Sequence, residues 1–266
     1  MSKMEIETGK GGEAHVTKED IKTGLRELGL KKGDIIGVHS SLSSLGYVEG
    51  GADTVIDALV ENVGDEGTIV MPTYSTNRKD IKRTRREVDL GVTWKSEILP
   101  YDPEKTPCWT GRIPETFRKR KGAVRSLDPT HSLAALGPKA NELVQDWEKL
   151  LKADGYILLL GVSLSCCSAM HLAEKRVQLP PHILEKIEPP PELLEKYGPD
   201  LGWPEWDIGY GPYPDFAKME EPCKENGLMK TVRIGEATVK LLRVNQLLNL
   251  YAEYLGKNPE LFYEVK

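Results

Sequence analysis

Residues 163–174 read SLSCCSAMHLAE and place one histidine, His171, about one turn into an expected helix. An imidazole with a pKa near neutrality suits a general base. The competing reading is a histidine satisfied in a helix–helix contact. A base also needs an acceptor on its second ring nitrogen. Glu205 and Asp207, in WPEWD at 203–207, are the candidates, and surface acids on an amphipathic loop are the alternative. A second reactive-looking stretch is GVHSSLSSLG at 37–46, where His39, Ser40, Ser41, Leu42, Ser43 and Ser44 follow an apolar run. Hydroxyls and backbone N–H groups in such a turn can cradle an anion, or can be plain loop chemistry. His131 follows a Pro-Thr turn and is expected near the surface, while His15 and His182 carry no signal.

Several chemistries lack their marks. There is neither a Walker A motif nor a GxGxxG fingerprint. GVSLS at 161–165 lacks the second glycine of a nucleophile elbow. Cys108, Cys166, Cys167 and Cys223 make no CxxC pair, and no H-x₃-H occurs, so no metal is expected. The adjacent Cys166 and Cys167 form a poor disulfide pair. A thiol nucleophile beside His171 stays open but unsupported.

The elements that must hold these groups follow from periodicity. Thr17 caps a helix carrying Ile21, Leu25 and Leu28, stopped near Gly29. Strand 35–39, helix 53–63 and strand 68–71 form a βαβ unit, with the serine turn at the carboxyl end of its first strand. Residues 74–111 are charged and aperiodic and read as an irregular excursion or lid. A short helix is expected at 113–121, a strand at 132–136 and one amphipathic helix at 138–151. A buried strand at 156–161 precedes the helix 168–177 that carries His171. Prolines crowd 178–226, which reads as a stiffened excursion on the substrate side. Strands at 231–234 and 237–242 and a helix at 244–255 complete the chain. Residues 1–15 read as a flexible leader before one domain, 16–266.

The 266 residues can bury a sizeable core, and a net charge of −5 argues against nucleic-acid binding. The basic runs 78–86 and 118–121 are solvated faces or contacts for a phosphorylated small molecule. No signal-peptide h-region and no membrane-length apolar run occur, so a cytoplasmic protein without a membrane partner is expected.

Four ordered blocks together resemble the aminoglycoside 3-N-acetyltransferase (antibiotic N-acetyltransferase) family. They are GDIIGVHSSLSSLG at 33–46, GDEGTIVMPT at 64–73, GRIPETFRKRKGAVRSLDPTHSLAALG at 111–137 and GYILLLGVSLSCCSAMHLAE at 155–174. The resemblance implies a single α/β domain with a mixed, mostly parallel central sheet flanked by helices, distinct from the GNAT acetyltransferases. It implies acetyl-CoA as co-substrate and an aminoglycoside amine as acceptor, in a monomer or homodimer. By the same resemblance, His39 to Ser44, Thr73, Arg125 and Ser126 contact CoA, with Arg125 on a phosphate. Asp128 stands where the family commonly has histidine or asparagine. His171 matches the catalytic histidine of an "LHYAE"-like block, with Leu172 replacing the aromatic residue. Glu205 matches the orienting glutamate, with Asp207 as substitute. Glu174 and Asp207, with Asp215, Glu220 and Glu221 nearby, are expected to make an acidic acceptor side.

Overall fold

The computed structural model describes residues 15–263. The expected leader therefore lies outside the described residues, except His15, which pairs with Tyr47 in a short parallel bridge. The first helix, Lys18–Glu27, starts at a reciprocal cap: Asp20 N–H donates to Thr17 Oγ1 at 3.2 Å, and Thr17 N–H to the Asp20 carboxylate at 2.9 Å. Helix Gly51–Val63 buries Val55, Leu59 and Val63 on one face.

A seven-stranded sheet forms the centre, in the spatial order Lys230–Ile234, Ala237–Arg243, Tyr156–Leu160, Ile35–Ser40, Thr68–Pro72, Leu133–Leu136, Val124–Arg125. Only Ile35–Ser40 runs parallel to its neighbours; the other pairings are antiparallel. The sheet is mixed, as expected, but not mostly parallel. The reason lies in the connections. Gly51–Val63 provides the crossover that a parallel pair requires, whereas the short turns after Arg125 and Ile234 permit only hairpins.

Strand alternation divides the core between the two sheet faces. Val38, Leu158 and Leu160 pack with the helices Lys18–Glu27, Gly51–Val63 and Arg112–Phe117. Val70, Ile157 and Leu159 pack with Val244–Lys257 and the segments around Trp147 and Met170.

Three expectations change. Residues 74–111 are not irregular throughout: Val92–Ile98 is the central strand of a three-stranded antiparallel sheet, between Arg78–Asp80 and Trp206–Tyr210. One partner of Val92–Ile98 is the three-residue strand Arg78–Asp80 and the other, Trp206–Tyr210, lies over a hundred residues away, so no local pattern announces the strand. The proline-rich stretch supplies that partner. It also forms the helices Pro181–Ile187 and Pro191–Tyr197, each with proline at its first turn. The single helix at 138–151 is two, Ala140–Leu143 and Trp147–Lys152. The second is restarted by Asp146, which accepts from Lys149 N–H at 3.1 Å. Among the described residues no helix is long and apolar enough to cross a membrane.

Candidate active site

The serine turn leaves the central strand at its carboxyl edge. Ser41 N–H donates to the Leu160 carbonyl at 2.9 Å, and the chain then winds into a 3₁₀ turn, Ser43–Leu45. Ser44 Oγ donates to Ser41 Oγ at 2.9 Å, and the hydroxyls of Ser41 and Ser43 stand 3.3 Å apart. The neighbouring strand must end in Gly161, at φ +73°, because a Cβ there would stand 2.6 Å from the Cβ of Ser44. Ser40, Ser41, Leu42 and Ser43 line a cleft of about 650 Å³, closed on its other side by Trp109, Thr110, Gly111 and Arg112. Ser44 faces an adjoining hollow with Arg233 and Lys240.

His39 is not part of that cleft. Strand alternation turns it to the opposite side, where it is 3% exposed and stacks on Trp147 with ring centroids 5.3 Å apart. Its Nε2 has no partner, and burial pulls its pKa down to about 4. The consequence is for stability. Below the ordinary value of 6.5 an unfolded chain takes up a proton that the native His39 refuses until about pH 4. The stabilisation is thus complete above pH 6.5 and lost as pH falls to about 4, by on the order of 3 kcal/mol. Urea unfolding across that range should show this slope in the wild type and a flatter one in His39→Phe.

Thr73, Arg125 and Ser126 also stay out of the cleft. Arg125 Nε donates to Thr73 Oγ1 at 3.2 Å and to Ser132 Oγ at 3.1 Å. Its Nη1 donates to the carbonyls of Pro103 at 3.2 Å and Thr106 at 2.5 Å, and Nη2 to the Thr73 carbonyl at 2.5 Å. The guanidinium lies over the Tyr101 ring, and Tyr101 Oη donates to the Ser126 carbonyl at 2.9 Å. Ser126 Oγ accepts from Leu133 N–H at 3.0 Å. These residues clasp the 101–106 loop to two strands, and the phosphate role expected of Arg125 is not what its donors serve. Asp128 has a turn to hold: Oδ1 accepts from the N–H groups of Thr130 at 2.8 Å and His131 at 2.7 Å.

His171 opens the short helix His171–Glu174, after a 3₁₀ turn rather than within one long helix. Its side chain is 49% exposed, and Nδ1 lies 2.8 Å from Glu174 Oε1. With Glu174 as a carboxylate, Nδ1 donates, and in the neutral imidazole the lone pair then lies on Nε2. Tyr263 Oη donates to Glu174 Oε2 at 3.3 Å, and Phe216 meets the imidazole edge-on with centroids 4.8 Å apart. Carboxylate, phenol and aromatic wall together fix the ring. Beside His171, burial pushes the Cys167 thiol up to about 12, which leaves it inert near neutral pH.

Glu205 does not reach His171. Its side chain is exposed and lines a separate hollow with Lys196, Tyr197 and Trp206. Asp207 is buried against Arg78 in an ion pair and accepts from Trp94 Nε1 at 3.3 Å. The expected acidic acceptor side is likewise committed elsewhere. Glu220 pairs with Lys240 at 2.8 Å, Glu221 with Lys224 at 3.1 Å, and Asp215 accepts from Ala217 N–H at 3.1 Å. The partner of His171 lies one helical turn away at i+3, a spacing that brings two side chains onto one face. That spacing was legible in HLAE.

An aromatic path leads from the serine cleft to His131. Trp109 packs on Tyr74 at 5.9 Å, and Tyr74 meets His131 edge-on at 5.1 Å. Burial lowers the pKa of His131, and the charges of Asp128, Arg78, Asp207 and His171 all act on it. Trp109, Tyr74 and Arg112 are the residues that sequence reasoning missed, since they fall in or beside an aperiodic stretch. Among the described residues no three His, Cys, Asp or Glu side chains gather as a metal site would require.

The chain is similar to known proteins. Aminoglycoside N(3)-acetyltransferase IX from Micromonospora chalcea is 35% identical over 188 residues, 65% of this chain and 66% of that protein. The SPbeta prophage-derived aminoglycoside N(3')-acetyltransferase-like protein YokD of Bacillus subtilis is 38% identical over 60% of this chain and 65% of its own length. The matches thus span just under two thirds of these relatives. A solved structure of AAC-IIIb, a binary complex with CoASH, superposes with a TM-score of 0.69 at 25% identity, over 95% of this chain and 99% of that one. The model of the family described as aminoglycoside 3-N-acetyltransferase matches residues 38–256, and the chain belongs to that family.

Proposed function

We propose that the protein transfers the acetyl group of acetyl-CoA to an amine of an aminoglycoside, the 3-amino group of its 2-deoxystreptamine ring. The observation that carries this reading is His171, half exposed and held through Nδ1 by Glu174, so that Nε2 is a free base. Support comes from the relatives named as N(3)-acetyltransferases and from CoASH bound to AAC-IIIb.

In this reading the acceptor nitrogen attacks the thioester carbonyl, a C–N bond forms and His171 Nε2 takes the amine proton. The tetrahedral oxyanion, met by backbone N–H groups of the serine turn or of the segment before His171, collapses with cleavage of the C–S bond. CoA leaves as the thiolate and takes the proton that His171 holds, which restores the neutral imidazole. Glu174 is a positioning residue that stabilises the imidazolium. The Cys167 thiol takes no part, in keeping with its raised pKa. The cytoplasm, which holds the acetyl-CoA pool, is the compartment this reading requires.

A second reading has an observation of its own. Asp207, Asp215, Glu220 and Glu221 all carry partners. A site with its acids compensated favours an amine of lower charge than a polycationic aminoglycoside. One experiment separates the two: thiol release from acetyl-CoA in the presence of either an aminoglycoside panel or a panel of monoamines and amino sugars. Drug-dependent release supports the first reading. Release with monoamines alone supports the second, and release with neither rejects both.

A further inference from the structure

The two groups that hold His171 are themselves held from one place, the end of the last long helix. Helix Val244–Lys257 stops at Asn258, at φ −143° and ψ 68°, and Pro259 opens a 3₁₀ turn, Pro259–Leu261, that folds the chain back. This segment lies beyond residues 38–256, which the family model matches. The fold-back delivers two adjacent residues to the site. Tyr263 Oη donates to Glu174 Oε2 at 3.3 Å, while Glu174 Oε1 serves His171 Nδ1. The Phe262 carbonyl accepts from Asp215 N–H at 2.9 Å, next to Phe216, whose ring meets the imidazole edge-on. One support of the imidazole thus ends on Tyr263 and the other beside Phe262.

Packing fixes the segment in place. Phe262 and Tyr263 are buried, and Tyr251 stands between Phe216 and Phe262 with ring centroids 5.4 and 5.0 Å away. Edge-on rings therefore run from His171 through Phe216 and Tyr251 to Phe262. On the outside, His182 Nε2 lies 2.8 Å from Glu260 Oε1 and ties the turn to helix Pro181–Ile187. Tyr251 Oη has no partner, so among the described residues Tyr263 is the one donor on Glu174 Oε2. Burial and the charge of Glu174 push the Tyr263 phenol up, which keeps it protonated and a donor. A carboxylate bonded through one oxygen can still rotate; a donor on the second oxygen removes that freedom. The bond on Nδ1 in turn decides which ring nitrogen carries the proton. An imidazole with its proton on Nε2 has no lone pair there for an amine proton.

We propose that Tyr263 is a positioning residue: it fixes Glu174 through Oε2, so that His171 keeps its proton on Nδ1 and stays open as a base at Nε2. The proposal rests on the reading of His171 and Glu174 as the base and its partner. Its first test needs no substrate. In the full chain carrying isotope-labelled histidine, nitrogen NMR of the neutral imidazole reports the tautomer, and the signals of His171 are those lost in His171→Gln. The wild type should carry the proton on Nδ1, and Tyr263→Phe should show a share of the Nε2–H form. The second test is thiol release from acetyl-CoA with the panel amine that the wild type uses best. Tyr263→Phe should lower turnover about tenfold at an unchanged KM for acetyl-CoA. The same change made in Glu174→Ala should cost little more, because Tyr263 acts through that carboxylate. Tyr263→Phe keeps the buried ring, and a melting temperature lowered by no more than about 4 °C identifies it as folded. A wild-type proton on Nε2 rejects the pairing of His171 with Glu174 and this proposal with it. A wild-type proton on Nδ1 that Tyr263→Phe leaves in place rejects the proposal alone. An equal loss of turnover in both backgrounds makes Tyr263 a support of the fold and also rejects it. If the wild type uses no amine of the panel, the tautomer alone decides.

Discussion

His171→Ala is expected to lower turnover about 10²- to 10⁴-fold while the Kd for CoA stays at the wild-type value. The imidazole is half exposed and makes one hydrogen bond, to Glu174, so its removal leaves the sheet and the serine cleft intact. Glu174→Gln should lower turnover roughly tenfold and shift the pH–rate profile, because an amide orients the ring without stabilising its cationic form. Glu205→Ala should stay close to wild type, since that carboxylate lies in a different hollow. Steady-state kinetics on the three variants distinguishes the possible partners of the base. A collapse of activity in Glu205→Ala with little effect in Glu174→Gln would reject the pairing described above.

The second large effect concerns stability. Arg125→Lys should lower the free energy of unfolding by on the order of 3 kcal/mol. One ammonium cannot span the acceptors that the guanidinium reaches at once: Thr73 Oγ1, Ser132 Oγ and the carbonyls of Thr73, Pro103 and Thr106. Carbonyls left without a donor in a half-buried clasp bear a desolvation cost. An arginine serving a phosphate would behave in the opposite way, with weaker CoA binding and no change in the urea midpoint. Urea unfolding and CoA titration of the same variant decide between the two roles.

Much of the architecture is readable along the chain, because its signals are local. Thr17 and Asp20 announce a helix start, apolar runs at 35–39 and 156–161 announce buried strands, and Gly235-Glu236 announces a hairpin. The second sheet is not readable in this way. Val92–Ile98 reads VTWKSEI, and it pairs with the short Arg78–Asp80 on one side and with the distant Trp206–Tyr210 on the other. The division of the helix at 138–151 likewise turns on one capping aspartate inside a continuous apolar pattern.

The site follows the same division. By itself the sequence determined the family, the serine turn at the end of the central strand and His171 as the group to test, because block order, turn composition and residue type are written in one dimension. Only the tertiary structure decided what each polar group is bonded to. It turned His39 into the core, spent Arg125 on backbone carbonyls, neutralised Asp207 with Arg78, and brought Tyr263 to Glu174. Whether a charge is free to meet a ligand depends on which other side chains come within hydrogen-bonding distance, and those arrive from segments far apart in the chain.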